Sequence, residues 1–153
     1  TWIKTAGANL ARKAKVTVSS CLNASYKASN INDGKIAFGT SDRWVSKSDF
    51  PQTVELTWDS QQTISVVRIV TGWKSGARII GMLEDFSLQY HDGEAWKDIP
   101  SAKASGNKQA DWTAKFNPLK TKRLRLTITA ALKDLARIWE IETYNPPVIA
   151  KPH

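Results

Sequence analysis

The sequence has few of the residues that most often carry catalysis or covalent cross-linking. It contains one cysteine, Cys21, and two histidines in 153 residues. A single cysteine excludes a disulfide within the chain. No His pair has metal-ligand spacing, no CxxC motif or glycine-rich phosphate loop occurs, and neither histidine is placed to act as a base for a serine nucleophile. We therefore expect no catalytic residues.

Long apolar runs are also absent, so no segment is long enough to cross a bilayer as a helix. The start, TWIKTAGANLARKAK, lacks the apolar core of a signal peptide, and the end, NPPVIAKPH, is typical of a linker. We predict linker remnants at 1–8 and 146–153. Between them, 9–145 is expected to be one module, monomeric within a larger multidomain chain.

The composition is that of an ordinary globular domain, with 41% hydrophobic and 24% charged residues. The charge is strongly asymmetric, at +8 with a pI near 9.7. Such an excess indicates either a solvated basic surface or an anionic partner, such as an acidic glycan, a nucleic acid or a lipid headgroup.

The hydrophobic pattern predicts an all-β chain. Short runs rich in valine, isoleucine, threonine and aromatics alternate with turn residues, and no convincing helix is present. Strands are predicted at 16–20, 54–58, 65–73, 112–119, 122–129 and 137–144, with a hairpin over 86–100 that turns at Asp92-Gly93. About eight short strands indicate an antiparallel β-sandwich or jelly roll.

The order of the strands also predicts where the loops lie. In an antiparallel meander, successive connections alternate between the two ends. The long loops then gather at one end, at 20–29, 74–85, 101–111 and 130–136, while tight turns at 91–93 and 117–121 occupy the other. Since binding residues concentrate on loops held by a rigid scaffold, we expect the site among the long loops.

The last predicted strand, RIWEIETY, has no uniformly apolar face. Alternation places Arg137, Trp139, Ile141 and Thr143 on one side and Ile138, Glu140, Glu142 and Tyr144 on the other. A buried carboxylate at Glu140 costs several kcal/mol unless a cation pairs with it. The sequence identifies no partner for Glu142.

Taken in order, several pieces of the chain resemble the coagulation factor 5/8 type C (discoidin) domain and its bacterial relatives, the family 32 carbohydrate-binding modules. The matching pieces are NLARKAKVTVSS (9–20), NINDG (30–34), DRWVS (42–46), TVELTWDSQQTISVVRIV (53–70), DFSLQYHDGEAWKDI (85–99), TKRLRLTIT (121–129) and RIWEIETY. The resemblance implies a jelly-roll β-sandwich. Having one cysteine, the chain resembles the microbial branch, which lacks the disulfide of animal members.

The resemblance further implies a structural calcium ion between the Asp-Gly loop and the last strand. The positions that match the family's ligands are Asn30, Asp33, Asp42, Trp139 and Glu140, with Asn30 and Trp139 offering backbone carbonyls. The sequence departs from the family at Lys35, which follows Asp-Gly where Asn or Asp is usual. Three alternatives stay open: calcium, an ion pair from Lys35 or an arginine to Glu140, or an exposed Glu140.

The same resemblance implies sugar contacts from the long loops, through an aromatic platform and cationic side chains. The candidates are Trp73, Lys74, Arg78, Tyr26, Asn23, Lys27, Lys47, Lys133 and Arg137. The cluster of Trp73, Lys74 and Arg78 is the strongest, although Trp73 could pack in the core and the two cations could be merely solvated. The other tryptophans considered, Trp44, Trp58 and Trp96, are assigned to the core.

These expectations describe a non-catalytic carbohydrate-binding module of a secreted bacterial polysaccharide-degrading enzyme. The cationic loops favour an acidic glycan such as alginate or pectin, with a neutral sugar as the open alternative. A lipid- or protein-binding discoidin domain is the alternative function, with the apolar run 79–83 as its contact. We expect that run to fold as a plug over the sandwich, so a membrane partner is not favoured. Nucleic acid is not expected, because the basic residues lack interleaved aromatics.

Overall fold

The computed structural model describes residues 6–147, in which nine β-strands and three short 3₁₀ helices are found. The strands are β1 Lys15–Val18, β2 Trp44–Val45, β3 Gln52–Thr71, β4 Trp73–Ser75, β5 Arg78–Ile80, β6 Leu83–His91, β7 Trp96–Ala104, β8 Asp111–Ala131 and β9 Arg137–Tyr144. The 3₁₀ helices are Leu10–Lys13, Ala28–Ile31 and Leu132–Asp134. No helix in this range is long and apolar enough to cross a membrane. The predicted linkers lie mostly outside the described residues.

Two strands run through the whole domain. The sequence predicts separate strands at 54–58 and 65–73, and again at 112–119 and 122–129, but each pair forms one continuous strand, β3 and β8. The two strands pair along their length, with a register shift between the pairs Thr57↔Arg123 and Gln62↔Thr121. We call the region of this register shift the corner. Because β3 and β8 pair on both sides of the corner, the polar residues there do not divide either strand in two.

The corner divides the main sheet into two parts, as expected of a sandwich. The first half of β3 pairs with β1 and with the second half of β8, which continues to β6 and β7. The second half of β3 pairs with the first half of β8 and with β9, which carries β2. All pairs are antiparallel, so the predicted antiparallel β-sandwich is confirmed. The simple meander is wrong, since β9 lies between β2 and β3.

The core forms between the inward faces of the two parts. Alternating residues of β3 and β8, such as Leu56 and Leu126, meet Val67 and Ile141 in one hydrophobic cluster. These residues have at most 1% of their surface exposed, and burial of each large aliphatic side chain contributes about 1.5–3 kcal/mol. The predicted periodicity of KRLRLTIT is therefore confirmed.

Of the tryptophans assigned to the core, two are confirmed and one is wrong. Trp44 and Trp58 belong to the core cluster and are 0% and 3% exposed. Trp96 is only partly buried. It begins the edge strand β7 opposite His91, and the guanidinium carbon of Arg125 lies 4.2 Å from its ring centroid. Polar neighbours therefore replace the expected core contacts.

Strand β9 is buried on both faces and contains a β-bulge. Val70 pairs with Glu140 and the next residue, Thr71, pairs with Ile138, so Trp139 is an extra residue in the ladder. The bulge shifts the alternation, and Ile138 points into the core together with Ile141. The predicted assignment of faces is thus wrong for Ile138, which was placed opposite Ile141, because it assumes an unbroken period of two.

The long loops gather at one end of the sandwich, as predicted. The backbone N–H of Thr71, at the end of β3, donates to the Ala110 carbonyl at 2.8 Å. The Leu83 N–H donates to the Thr71 hydroxyl at 3.2 Å, and Leu83 faces Ala131 in the ladder. The connections after β3, before β8 and after β8 therefore lie together, and we call this side the loop end.

The tight turns lie at the opposite side, which we call the corner end. The Thr121 hydroxyl, at the corner of β8, donates to the His91 carbonyl at 2.7 Å. His91 ends β6 and precedes the turn to β7. This hydrogen bond joins the corner of β8 to the turn between β6 and β7, which confirms that both lie at the same end of the sandwich.

Candidate functional site

A small hairpin at the loop end carries the strongest predicted binding residues. The predicted loop 74–85 contains β5 and most of β4, with Trp73 opposite Ile80 and Ser75 opposite Arg78. Side chains alternate along a strand, so Trp73 and Arg78 share one face and Lys74 lies on the other. The structure therefore brings Trp73 and Arg78 to one side and separates Lys74 from them. The apolar residues Ile79 and Ile80 are partly buried, as the plug interpretation predicts.

The Trp73 ring is fixed by close neighbours and is partly exposed. The guanidinium carbon of Arg137 lies 4.0 Å from its centroid, and the Lys133 ammonium lies 5.8 Å away. Gly81 approaches so closely that a Cβ built there would lie 2.5 Å from ring carbons. Trp73 is therefore not a core residue. Its ring is partly exposed, is held in place by Gly81, and has the cations of Arg137 and Lys133 beside it.

Arg137 is a buried cation held by backbone oxygens. It is 5% exposed, and its Nη1 donates to the carbonyls of Leu132 at 3.3 Å and Leu135 at 3.0 Å. Burial, together with the nearby charge of Arg43, lowers the pKa of Arg137 to about 10. It stays cationic at neutral pH, although no ion pair within residues 6–147 includes it.

Arg43 is a member of this cluster that sequence reasoning missed. Its guanidinium carbon lies 5.0 Å from the Tyr26 ring centroid and 5.3 Å from that of Trp139. Its Nη1 donates to the Thr40 carbonyl at 2.9 Å, and its Nε is buried without a partner. The pairing of β2 with β9, which sets Val45 opposite Arg137, brings Arg43 to this place. The motif DRWVS contains Arg43, but nothing local indicates that pairing.

Other predicted contacts lie at the surface without joining the cluster. Asn23 is exposed and its Oδ1 accepts from the Ser25 N–H at 2.9 Å. Lys47 and Lys27 are exposed, and within the described chain no hydrogen bond or ion pair links them to Trp73. The structure therefore assembles Trp73, Arg78, Tyr26, Lys133, Arg137 and Arg43, which we call the aromatic–cation cluster.

Glu140 is a buried carboxylate with one unsatisfied oxygen. It is 0% exposed, its Oε2 accepts from the Gly34 N–H at 2.9 Å, and its Oε1 is buried without a hydrogen-bond partner. Burial, with the neighbouring Asp33 carboxyl, raises the pKa of Glu140 to about 8 in spite of the Gly34 hydrogen bond. The alternative of an exposed Glu140 is therefore wrong.

The ion-pair alternative is also wrong in this structure. Lys35 is exposed and forms no ion pair with Glu140 within residues 6–147. Its backbone N–H donates to Asp33 Oδ1 at 2.9 Å. The Arg12 guanidinium packs against Gly34, where a Cβ would lie 1.9 Å from its Nη1. Within residues 6–147 it too forms no ion pair with Glu140. The buried carboxylate thus has no cationic side chain to neutralise it.

The predicted calcium ligands fit a cation in part. Glu140 and Asp33 lie together, and Trp139, as the bulge residue, has no partner in either ladder. The side-chain amide of Asn30 donates to two backbone carbonyls. Asp42 lies in the loop before β2, and its backbone N–H donates to a threonine hydroxyl. No group of three or more Asp, Glu, His or Cys side chains within the described residues is suited to a metal. A calcium shell there would need backbone carbonyls and water.

Glu142, for which the sequence offered no partner, is held by an arginine. Arg68 Nη1 lies 3.2 Å from both carboxylate oxygens, and the Tyr144 hydroxyl donates to Oε1 at 2.7 Å. Arg68 also donates to Asp111 at 2.8 and 2.9 Å. Glu142 therefore has a structural role on β9, bridging to β3.

Comparison with known proteins finds one family and several solved structures to which this chain is similar. The model of the F5/8 type C domain matches residues 15–141. No curated protein sequence matches the chain. A chitosan-binding module of a chitosanase/glucanase from Paenibacillus sp. IK-5 is 22% identical, with a TM-score of 0.74 over 90% of this chain and 99% of that one. The family 32 module of NanJ from C. perfringens, solved with galactose, is 20% identical, with a TM-score of 0.71 over 88% and 96%.

A larger protein contains the same fold as one part. A putative alpha-L-fucosidase from Bacteroides thetaiotaomicron is 21% identical and has a TM-score of 0.77, covering 94% of this chain and 30% of its own. The chain thus spans under a third of that enzyme's length. At these identities, the likeness establishes the sandwich fold.

Proposed function

This chain belongs to the F5/8 type C domain family, and from that premise we propose that it is a non-catalytic module that binds glycans at its loop end. Solved structures of this fold include modules described as chitosan-binding and a family 32 module in complex with galactose. As an accessory module of a secreted bacterial polysaccharide-degrading enzyme, it would raise the concentration of that enzyme at its substrate. It would act as a monomer within the longer chain.

We propose further that the glycan is acidic, a uronic-acid polymer such as alginate or pectin. The observation that carries this is the pair of arginines in the aromatic–cation cluster. Arg137 is buried, Arg43 has a buried Nε without a partner, and neither forms an ion pair within residues 6–147. Two neighbouring guanidiniums repel each other and are costly to bury. A sugar carboxylate would satisfy both, since arginine binds carboxylates through parallel N–H donors.

The ring beside the arginines supplies the second half of such a site. A sugar presents an apolar C–H face that packs on aromatic rings. The partly exposed Trp73, with Arg137 on one side and Lys133 near it, would take that face while the carboxylate pairs with a guanidinium. Arg78 shares its face of the hairpin and would contact a neighbouring unit of the chain.

We propose calcium as a structural ion at Glu140 and Asp33. The support is the unpaired buried Oε1 of Glu140, close to a second carboxyl, together with the bulge at Trp139 that leaves that residue outside the ladders. A divalent cation there would neutralise the two carboxylates and tie the 30–35 loop to β9. Asn30 would contribute its backbone carbonyl, and Asp42 stays a candidate ligand.

Isothermal titration with oligogalacturonate, oligomannuronate, galactose and chitotriose tests the glycan proposal. We expect the acidic oligosaccharides to bind, and Arg43→Ala or Trp73→Ala to weaken binding by about tenfold or more, as expected for loss of a charged hydrogen bond or a stacked ring. Lys13→Ala, an exposed residue away from the cluster, is the matched control. If both variants bind every sugar as the parent does, the site is wrong, and if only the neutral sugars bind, the acidic assignment is wrong.

A further inference from the structure

A cavity of about 320 Å³ lies at the corner end, away from the aromatic–cation cluster. It is lined by the 91–93 turn after β6, by Gln61 at the corner of β3 and by 120–123 at the corner of β8. The Thr121 hydroxyl donates to the His91 carbonyl at 2.7 Å and its oxygen accepts from a backbone N–H of the same corner at 3.0 Å. The walls are therefore joined by the fold, and the volume lies in the range of small-ligand sites, roughly 300–1,000 Å³.

The rim of this cavity has an excess of positive charge. Lys120 and Lys122 are exposed, and neither takes part in an ion pair with any residue between 6 and 147. The acidic residue of the lining, Asp92, is already paired with Lys97 at 2.8 Å and accepts two backbone N–H groups at 2.8 Å each. These contacts, the Lys97 pair first, hold the pKa of Asp92 below its usual range. The two lysines are thus left for an external anion.

Neutral donors and an aromatic ring stand beside the two lysines. His91 Nδ1 accepts from the Gly93 N–H at 3.1 Å, so the neutral imidazole carries its proton on Nε2 and can donate from there. The His91 ring meets the Trp96 ring edge-on, with centroids 5.3 Å apart. The Arg123 guanidinium carbon lies 4.8 Å from the Trp96 centroid, and Trp96 is partly exposed. Trp96 is not among the lining residues, and a second guanidinium, that of Arg125, lies 4.2 Å from its centroid. It therefore supports His91 and Arg123 from behind, and His91 supplies the donor at the cavity itself.

We propose that the corner end is a second binding site, for an anionic sugar unit whose carboxylate or sulfate group pairs with Lys120 and Lys122. The hydroxyls of the sugar accept hydrogen bonds from the side chains of His91 and Gln61, which line the cavity. Together with the loop end, this site makes the module bivalent, since the two sites lie at opposite ends of the sandwich. The corner-end site is independent of what binds the aromatic–cation cluster, whereas the bivalence rests on the function proposed for the loop end.

The shape of the site favours a sugar over a nucleic acid. Single-stranded nucleic acids need a groove with several aromatic rings in succession. Among the described residues, no tryptophan, phenylalanine or tyrosine lines the cavity, and the 91–93 turn bounds it on one side. A small pocket without a row of rings matches one sugar unit and its anionic group.

Two-dimensional ¹⁵N NMR of the full chain tests this inference, with trigalacturonate, a sulfated heparin disaccharide, galactose and oligothymidylate as separate probes. We expect at least one anionic sugar to shift the signals of Gln61, Gly93, Thr121 and the Trp96 indole. Binding by trigalacturonate alone assigns the carboxylate, and binding by the disaccharide alone assigns the sulfate. Shifts with oligothymidylate alone, or with galactose as strong as with the anionic sugars, would overturn the inference.

Variants separate this site from the loop end. We expect Lys120→Ala/Lys122→Ala to reduce the affinity reported by the corner-end signals about tenfold, in line with loss of charged contacts. The matched control, Lys27→Ala/Lys47→Ala, removes the same charge from exposed positions at the loop end that do not join the aromatic–cation cluster and should change it less than twofold. Equal loss in the two double variants would show a net-charge effect and refute the site. Arg43→Ala should leave the corner-end signals unchanged, so failure of one site is visible without failure of the other.

Discussion

The buried carboxylate of Glu140 predicts that metal-free protein loses stability as the pH rises. Its folded-state pKa is about 8, against 4.5 for the free side chain, because it is fully buried and lies beside Asp33. Below pH 4.5 the carboxyl is protonated in both states and no penalty arises. Between pH 4.5 and 8 the unfolded chain releases the proton while the folded chain keeps it, so the free energy of unfolding falls. The shift corresponds to about 5 kcal/mol over this range.

Calcium reverses that loss if it binds where we propose. The ion pairs with the ionised carboxylate, so saturating calcium should restore most of the stability lost by pH 8 and have little effect at pH 5. Five kcal/mol corresponds to a change of roughly 10–20 °C in melting temperature for a domain of this size. Glu140→Gln keeps an acceptor for the Gly34 N–H but has no charge. It should therefore show neither the pH slope nor the response to calcium.

Urea denaturation at four pH values between 5 and 8, with EDTA or with calcium, measures both effects. The difference between parent and Glu140→Gln isolates this carboxyl from other groups that titrate in the same range. Equal pH slopes in the two proteins would refute the assignment of the penalty to Glu140. A parent slope that is unchanged by calcium would leave the penalty in place and refute the proposed metal site.

Two further predictions concern packing and charge. In chemical denaturation, Gly81→Ala should reduce the free energy of unfolding by at least twice as much as Gly76→Ala. Both glycines have positive φ (72° and 62°), and this backbone strain alone accounts for about 1 kcal/mol, but an added Cβ meets the Trp73 ring only at Gly81. Equal losses in the two variants would refute the close approach of Gly81 to Trp73. Arg68→Ala should reduce it by about 3 kcal/mol because it leaves the carboxylate of Glu142 buried and unpaired, whereas Asp111→Ala, at the exposed end of the same network, should cost less than about 1 kcal/mol. Thermal melts of the two variants that give the same midpoint would contradict this ranking.

Much of the fold was predictable because its signals are local. Strands with one face in the core follow a period of two, as in KRLRLTIT, where Leu124, Leu126 and Ile128 are buried. The hairpin at Asp92-Gly93 and the grouping of long loops at one end also followed from turn residues and strand order. The resemblance to the F5/8 type C domain rested on ordered short motifs, and the family match over residues 15–141 confirms it.

The candidate site was predictable only in part, because its members come from distant strands. Trp73 and Arg137 were named from their loops, and they contact each other at 4.0 Å. Arg43 was not, since its place depends on the pairing of β2 with β9. Asn23 and Lys47 were expected at the site because they lie in long loops, but loop membership does not set the direction of a side chain.

The strand RIWEIETY shows which features follow from the sequence and which depend on the tertiary structure. Its alternation predicted that a strand closes the domain, and it placed at Glu140 a carboxylate whose burial costs free energy unless a cation pairs with it. The bulge at Trp139 was decided by the register against β3, where Val70 takes Glu140 and Thr71 takes Ile138. Alternation is a property of one chain segment, but a bulge exists only between two. The sequence by itself therefore determined which residues form strands, and the tertiary structure decided which face each side chain occupies and which charges meet.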